Sequence, residues 1–427
     1  MIDRSLKLPC GATLKNRLVK AAMTEGLADA HNRATSRHVK IYQRWANGGA
    51  GMLLTGNVMV DRRYLERPGN VAIDGPQSDD QLDRLRAWSS AARDNGADIW
   101  MQISHAGRQS PKIVATQPVA PSAIPINLPG GTFAKPRALT EGEIEDVIQR
   151  FAHVASTAKQ TGFSGVQIHA AHGYLLSEFL NPRVNRRDDA WGGSLENRSR
   201  LLFRVVEAVR AVVGGGFPIS VKLNSSDFQK GGFSEGDSVA VARGLDDAGV
   251  DVLEISGGSY EQPAMMDLEG QEARFEESKR ESTRQREAYF LTYAEEIREV
   301  TKFPLMVTGG FRTRRGMIDA LDANACDLCG IARPLCVDID APSRLISGGV
   351  EKLTSYEKLL RVGPGFFGPN SSNAIIKALN GFGVMAFFYE NIFRLADGKE
   401  PKKKMPLLST FLKFQRSEAK AAKKLVR

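Results

Sequence analysis

The chain has 427 residues, of which 42% are hydrophobic and 25% are charged. This balance is typical of a globular protein rather than a disordered or membrane-embedded one, and the length suits one large α/β barrel as well as two domains. The formal net charge of +9 comes almost entirely from residues 399–427, which contain ten Lys or Arg and two Glu. The rest of the chain is nearly neutral, so nothing in its charge supports nucleic-acid binding.

Targeting features point to a cytoplasmic protein. Four cysteines are too few for a disulfide scaffold of this length, and the amino-terminal MIDRSLKLPCG lacks the apolar stretch of a signal peptide. The longest uncharged part of the apolar carboxyl-terminal segment, residues 378–389, is shorter than the ~18 residues that a membrane span requires. We therefore expect a soluble protein without a transmembrane helix.

Short β-branched runs alternate with longer amphipathic stretches along the first 350 residues. The candidate strands are residues 17–22, 51–57, 97–103, 164–170, 218–224, 250–256, 304–309 and 326–332. Helical patterns follow them at residues 34–47, 79–94, 141–161, 194–213, 236–248, 284–301, 312–323 and 334–347. This alternation is typical of parallel strands joined by helices. It predicts an α/β fold, a (β/α)8 TIM barrel.

The residues beyond the barrel predict an appendage. We expect the barrel to occupy residues 1–350 and a helical extension, centred on a helix at 371–396, to occupy 351–398. Residues 399–427 form a basic tail that is either an amphipathic helix or disordered. No strand is followed by the G-x-G-x-x-G fingerprint, and the residues after 350 are too few for a separate nucleotide-binding domain of ~100 residues or more.

Two glycine-containing turns predict a phosphate site. Phosphate is often held after strands 7 and 8 of a (β/α)8 barrel, at the carboxyl ends where the active site lies. Thr308, Gly309 and Gly310 follow the seventh strand, and Ala332 and Arg333 close the eighth. Exposed backbone N–H groups and a guanidinium together suit a dianionic phosphate. The alternative is that the glycines only make turns and the arginine forms a surface ion pair.

The stretch IHAAHGYLLSEFLNP at the end of the fourth strand carries the strongest chemical signal. It places His169, His172 and Tyr174 within six residues, where a catalytic loop should begin. Two imidazoles can donate hydrogen bonds to a carbonyl oxygen, and a phenol can deliver a proton. A single histidine is more often structural, but a cluster at a strand end predicts a catalytic site.

Polar residues also end three other strands. Lys222 ends the fifth strand, where its ammonium could face an anionic cofactor ring, form a Schiff base with a carbonyl substrate, or pair with Glu254. Spacing alone leaves these three roles open. Gln102 at the end of the third strand and Thr24 after the first could hydrogen-bond a heterocycle or cap a neighbouring helix.

Several motifs together resemble one known family. They are NRLVKAAMTEGLAD near the start, MQISHAGRQS after the third strand, VTGGFR after the seventh, GIARPL after the eighth and, most specific, IHAAHGYLLSEFLNPRVNRRDDAWGGSLENRSRL. Over residues 1–345 the sequence resembles the Old Yellow Enzyme family of FMN-dependent NAD(P)H:flavin oxidoreductases, or ene-reductases.

The resemblance implies a set of FMN-binding residues. Thr24 would hydrogen-bond near a ring carbonyl, Lys222 would stabilise the anionic reduced ring, and Arg333 would hold the phosphate. The full implied set is Ala21, Ala22, Met23, Thr24, Gly56, Gln102, Lys222, Gly310, Ala332 and Arg333.

The resemblance also implies a reaction. His169 and His172 would hold the oxygen of an electron-poor alkene or quinone, and Tyr174 would protonate the carbon next to the activating group. NADH or NADPH would reduce FMN, and the substrate would then accept hydride at its β-carbon in a ping-pong scheme. A nicotinamide that lies on a bound flavin needs no Rossmann domain.

Some positions depart from the family pattern. Ala22 stands where many members have Pro, and Lys222 stands where many have Arg, which replaces a planar fork with a point charge. Cys326, Cys329 and Cys336 lie in or beside the eighth strand and no cysteine follows them. We therefore interpret them as packing residues, and we expect no metal and none of the iron–sulfur clusters of some larger relatives.

Other functions stay open at this point. Electrons could pass to oxygen or a quinone as in an NADH oxidase, Lys222 could serve a flavin-free lyase, or the barrel could bind FMN without turnover. We expect the loop at residues 259–283 to cover the pocket.

The basic tail also leaves alternatives. Leu408, Phe411 and Leu412 fall at helical spacing ahead of Lys420 and Lys423, so the tail could contact an anionic membrane. A solvated tail that aids solubility is the plainer alternative. A homo-oligomer is a further open possibility.

Overall fold

Eight parallel strands close into a barrel in the computed structural model, which describes residues 1–128, 131–258, 288 and 290–426. The strands are β1 (Leu18–Lys20), β2 (Met52–Leu54), β3 (Asp98–Ser104), β4 (Gly165–Ala170), β5 (Ile219–Asn224), β6 (Val252–Ser256), β7 (Leu305–Thr308) and β8 (Leu328–Ile331). Each strand pairs with the next, and β8 pairs with β1, so the sheet closes on itself. The predicted (β/α)8 barrel is confirmed. The loop at 259–283 lies outside the described residues.

Helices connect the strands on the outside of the barrel. They are α1 (Ser36–Asn47), α2 (Asp79–Arg93), α3 (Glu141–Gln160), α4 (Leu175–Leu180), α5 (Leu195–Val213), α6 (Glu235–Asp247), α7 (Leu291–Arg298), α8 (Arg314–Asp322) and α9 (Ala341–Ser347). After the barrel come α10 (Tyr356–Leu359), α11 (Ala374–Ala396) and α12 (Leu407–Lys424). The side chains of Ser78 and Thr140 accept hydrogen bonds from the first turns of α2 and α3, as caps do.

One predicted helix is shorter than expected. The pattern at 334–347 predicts a continuous helix, but the structure has a short 3-10 turn, Arg333–Cys336, followed by α9. Pro342 explains the break, because a proline in the interior of a helix lacks the N–H that the preceding turn requires. As the second residue of α9 it is tolerated, since N–H groups in the first turn have no partner within a helix.

Strand register brings polar side chains together inside the barrel. His169 on β4 lies opposite Lys222 on β5, and Lys222 lies opposite Glu254 on β6. Because neighbouring parallel strands present residues in register on the same face, these three side chains share the inner surface. The register therefore builds a polar layer near the carboxyl ends of β4 to β6.

The amino-terminal end of the barrel is apolar and closed. Inward side chains such as Val19, Trp100 and Val252 form a buried cluster that includes residues of a short hairpin, Leu6–Lys7 paired with Thr13–Leu14. The sequence analysis did not identify this hairpin. It leaves the carboxyl ends of the strands as the open side for a ligand.

The basic tail is a docked helix. Helix α12 packs on α11 through two stacked ring pairs, Phe382 with Phe411 at 5.9 Å and Tyr389 with Phe414 at 5.0 Å between ring centres. Leu407 and Phe414 are buried. Of the two possibilities for residues 399–427, the structure shows a helix over most of the segment, and its apolar stripe explains the order.

We predict that Phe414→Ala lowers the free energy of unfolding by about 2–4 kcal/mol, because it removes a buried ring and leaves a cavity. Urea unfolding measures the change. Leu412→Ala on the exposed side of the same helix is the matched control, and it should cost no more than about 0.5 kcal/mol. Equal small effects of the two substitutions would contradict a docked tail.

Candidate active site

His169, His172 and Tyr174 meet at the end of β4, as predicted. The chain leaves the strand through a turn in which His172 and Gly173 have φ angles of 63° and 77°. A non-glycine residue in this left-handed region is uncommon and often marks a functional site. The turn brings the ring of His169 to 5.1 Å from that of His172 and 4.8 Å from that of Tyr174, both edge to face. All three side chains therefore lie in one cluster.

The hydrogen bonds of the cluster constrain its protons. Nδ1 of His169 accepts from the N–H of Ala171 at 3.2 Å, so the ring hydrogen of a neutral His169 is on Nε2. Nε2 of His172 lies 2.7 Å from Oγ of Ser256 at the end of β6. Burial, followed by the Lys222 ammonium, lowers the pKa of both histidines well below the ordinary value. Both are neutral imidazoles at neutral pH.

Asn224 and Asp227 hold the backbone of the turn at His172 through a chain of two hydrogen bonds. The backbone N–H of His172 donates to Oδ1 of Asn224 at 3.1 Å, and the amide of Asn224 donates to Oδ1 of Asp227 at 2.7 Å. Asp227 is buried, and burial raises the pKa of its carboxyl to about 6. The sequence analysis did not identify Asn224, Asp227 and Ser256. Their role depends on contacts with the turn at His172, which is distant from them along the chain.

Lys222 pairs with Glu254, the third of the roles that the sequence left open. Its Nζ lies 2.9 Å from Oε1 of Glu254, and both side chains are buried. Gln167 donates to the other oxygen of Glu254 at 2.8 Å, and Gln102 donates to Gln167 at 2.7 Å. A continuous polar ladder thus crosses β3 to β6. Gln167 was missed, although its position two residues before His169 places both on one strand face.

The loops after β1 and β2 form another side of the candidate site. Ala21 belongs to the inner apolar cluster, and Ala22 and Ala332 pack against it, so these three predicted cofactor residues lie together. A Cβ atom at Gly56 would lie 2.5 Å from the carbonyl oxygen of Met23, so only glycine allows this contact. The Met23 sulfur contacts the sulfur of Cys336 at 3.6 Å. Met23 borders Gly56 through its backbone.

Thr24 has a partner that the sequence did not suggest. Its hydroxyl donates to Oε2 of Glu66 at 2.6 Å. A hydroxyl carries one hydrogen, so in this arrangement it cannot also donate to a ring carbonyl. In the structure the hydroxyl hydrogen of Thr24 is therefore directed to Glu66.

The turn after β7 suits a phosphate. Gly309 and Gly310 have φ angles of 119° and 93°, and their N–H groups donate to no acceptor within the part of the chain that the structure describes. Arg333 lies 3.7 Å from Glu357, which also accepts from Arg312 at 2.8 Å. Two guanidinium groups thus lie beside one carboxylate next to this turn, and a guanidinium is a group that binds phosphate well. Arg312, in the VTGGFR motif, is an addition to the predicted set.

The remaining cysteines near β8 are core residues. Cys326, Cys329 and Cys336 are all buried in the main hydrophobic cluster. Their burial agrees with the interpretation of these cysteines as packing residues.

Taken together, the fold and the site define a TIM-barrel protein built to hold a phosphorylated heterocycle. The backbone N–H groups of the turn at Gly309 and Gly310 suit the phosphate of FMN, and the Gln102 and Lys222 ladder suits the polar edge of its ring. The family model for the NADH:flavin oxidoreductase / NADH oxidase family matches residues 7–351. The chain belongs to this family, and it is a flavin-dependent oxidoreductase of the Old Yellow Enzyme type with a nicotinamide reductant.

Individual relatives agree with this assignment. The chain is 41% identical over 356 residues to the NADH-dependent flavin oxidoreductase iliE of Hypocrea jecorina, covering 78% of this chain and 86% of that protein. It is 34% identical to the NADH oxidase of Thermoanaerobacter brockii, covering 78% of this chain and 49% of that longer protein. The solved structure of the old yellow enzyme homologue from Zymomonas mobilis superposes with a TM-score of 0.68 at 27% identity, covering 82% of this chain and 94% of that one.

We predict that Asp227→Asn removes a pH dependence of stability. The carboxyl has a pKa of about 6 in the folded protein, against about 4 in an unfolded chain. The folded state therefore binds the proton more tightly, and the free energy of unfolding of the parent falls as pH rises from 4 to 6. The variant should match the parent near pH 4 and exceed it by roughly 2 kcal/mol at pH 7. Urea unfolding at both pH values measures this, and parallel pH profiles would contradict it.

Proposed function

We propose that the protein reduces the carbon–carbon double bond of an α,β-unsaturated carbonyl compound, or a related quinone, with electrons from NADH or NADPH. The observation that carries the proposal is the contact of His169, His172 and Tyr174 at the open end of the barrel. Two neutral imidazoles beside one phenol provide hydrogen bonds for an oxygen and a proton for a carbon, which are the two requirements of this reduction.

The residues around the site are the ones that we expect to bind the cofactor. FMN bound there would accept a hydride from the nicotinamide and pass it to the alkene. We infer that Gly310, Ala332 and Arg333 would hold its phosphate. The ring would contact Ala21, Ala22, Met23, Thr24, Gly56, Gln102 and Lys222. Lys222 is paired with Glu254, so its positive charge is partly neutralised before any cofactor binds.

The histidines orient the substrate. The Nε2 hydrogen of His169 is not needed for the Ala171 contact, so it can donate to a substrate oxygen. His172 shares its Nε2 with Ser256, which fixes the plane of its ring next to His169. Neutral donors polarise a carbonyl without introducing a full charge into a buried site, where an unpaired charge would be costly.

Tyr174 supplies the proton. It is the residue immediately before α4, and its side chain is buried against His169. Its phenol belongs to a small apolar cluster with Met59, Leu65 and Val114, which excludes water around the ring. A phenol held in this way can deliver a proton to the α-carbon from a fixed direction.

We predict that Tyr174→Phe separates the two halves of the reaction. The purified parent should be yellow, oxidise NADH or NADPH, and reduce an enone such as cyclohexenone. In the variant, reduction of the flavin by the nicotinamide should stay within about twofold of the parent, whereas reoxidation by the enone should slow by about 10²-fold or more, the usual size of a general-acid contribution. Stopped-flow absorbance of the flavin follows both steps.

Two results would contradict this assignment. Equal slowing of both steps would remove the proton-donor role of Tyr174. Rapid reoxidation by oxygen or a quinone in both proteins, with no enone reduction, would favour the NADH oxidase alternative. Tyr64→Phe is a matched control, because Tyr64 is another buried tyrosine of the barrel loops outside the cluster of His169 and His172.

We also propose that the chain consists of a catalytic domain and two attached segments. The family match ends at residue 351, so residues 1–350 form the catalytic barrel. Residues 351–398 and 399–427 are two attached segments, which contribute α11 and α12.

A second proposal concerns the outer surface of these two helices, which we infer contacts an anionic membrane. Ile375 is 71% exposed, and Leu408 and Leu412 are each 47% exposed. The exposed run Lys402 to Lys404 precedes α12 and provides positive charge beside these apolar side chains. No helix among the described residues is long and apolar enough to span a bilayer, so the contact would be peripheral.

We predict that the protein co-sediments with vesicles of anionic lipid and not with zwitterionic vesicles. The double substitution Leu408→Ser and Leu412→Ser should reduce the bound fraction several-fold, because it removes apolar area that would enter the interface. Sedimentation with both lipid types alike, or with neither, would contradict the proposal. Self-association in the absence of lipid would assign this surface to a homo-oligomer instead.

A further inference from the structure

The buried guanidinium of Arg67 connects the carboxyl-terminal helices to the loops at the candidate active site. Its Nη2 and Nε donate to the two carboxylate oxygens of Glu418 on α12, at 2.7 and 3.1 Å. Its Cζ lies 3.9 Å from the centre of the Tyr389 ring on α11 and 5.2 Å from that of Phe414 on α12. A bidentate ion pair combined with a stacked aromatic ring holds an arginine more firmly than either contact alone.

The guanidinium also packs against the loop that carries Thr24. A Cβ atom at Gly26 would lie 2.9 Å from Cζ of Arg67, so a side chain at residue 26 would collide with the guanidinium. The φ angle of Gly26 is +68°, a second reason for glycine at this position. A Cβ atom at Gly69 would lie 2.7 Å from the carbonyl group of Gly26, so these two glycines pack closely. The carbonyl of Gly69 also accepts from the N–H of Ala28 at 3.0 Å. The loops after β1 and β2 thus touch backbone to backbone.

The residue before Arg67 determines which hydrogen-bonding role Thr24 can play. One carboxylate oxygen of Glu66 accepts from the hydroxyl of Thr24 at 2.6 Å and from the amide of Asn57 at 2.9 Å. The amide of Asn70 approaches the same oxygen at 3.5 Å, and Asn70 also accepts from the N–H of Arg67 at 2.7 Å. The hydroxyl hydrogen of Thr24 is therefore directed to Glu66.

The residues that follow α12 make two further contacts close to the site. The N–H of Val426 donates to the carbonyl of Ala30 at 2.9 Å, in the loop that follows β1. Leu425 packs against the apolar cluster that contains Tyr174. The end of the chain is thus anchored beside the loops that form the site, and Glu418 lies within this anchored stretch.

We propose that Arg67 is a positioning residue for the cofactor site, with Glu418 of the carboxyl-terminal helix as its anchor. Together they hold Glu66 against Thr24 and so fix the position of the Thr24 hydroxyl, which would contact the flavin ring. This inference rests on the proposed place of Thr24 beside FMN. It gives the basic tail a role in tuning the site within the same chain.

The test compares FMN binding and the flavin spectrum of the full-length holoprotein with those of Glu418→Gln. Loss of the charged anchor should loosen Arg67 and Glu66, raise the FMN dissociation constant roughly 3- to 30-fold and shift the visible absorption band. Flavin fluorescence released on dilution measures the dissociation constant. Combined with Thr24→Val, the Glu418→Gln substitution should add little further weakening, because both act on one hydrogen bond.

Glu390→Gln is the matched control. Glu390 on α11 pairs with Lys413 on α12 at 2.6 Å, so it also joins the two helices, but Lys413 is 67% exposed and the pair does not touch Arg67. We expect parental FMN affinity in this variant. If Glu418→Gln is too unstable to purify, Glu418→Asp keeps the charge with a shorter reach and should give an intermediate dissociation constant.

Two outcomes separate the present inference from the proposed function. A lower melting temperature with unchanged FMN affinity and spectrum, in either Glu418 variant, would show that the anchor is only structural. Full additivity with Thr24→Val would likewise overturn the route through Thr24. A parent protein that binds no FMN would instead overturn the proposed function on which the inference rests.

Discussion

The candidate active site depends on the burial of two opposite charges inside the barrel. Lys222 and Glu254 lie on adjacent strands with almost no solvent contact, 2.9 Å apart. An isolated buried charge is costly, so each must keep its partner, and Gln167 must satisfy the second carboxylate oxygen. Strand register is the constraint that makes this possible, since it places the two residues opposite each other. The same register places His169 beside Lys222.

The charge of Lys222 affects the chemistry of the neighbouring histidines. Burial and this ammonium both disfavour the imidazolium form, so His169 and His172 stay neutral. A neutral imidazole can still donate one hydrogen bond, and the Ala171 contact selects the nitrogen that does so in His169. The site therefore has a buried cation–anion pair with two neutral imidazoles beside it. This arrangement suits a reaction in which the transferred electrons arrive as hydride and the protein supplies a proton.

The carboxyl-terminal helices change the boundary of the site. In a (β/α)8 barrel the loops after the strands usually make the walls by themselves. Here the loops after β1 and β2 are also held from outside, because Arg67 lies between Gly26 and the rings of α11 and α12. A segment rich in lysine, whose composition suggests a solvated tail, thus contributes Glu418 to an ion pair with the buried Arg67. Its apolar stripe provides the packing that keeps this ion pair out of water.

The sequence by itself determined the barrel, its eight strands and the His169, His172 and Tyr174 cluster. These features are local, since strand periodicity and a motif of a few residues need no knowledge of distant contacts. Tertiary structure decided the partner of Lys222, the donor direction of Thr24 and the docking of residues 407–424. Each of these depends on residues far apart along the chain, such as Glu66 with Thr24 or Glu418 with Arg67. Pairings of this kind arise from packing, which composition and periodicity do not record.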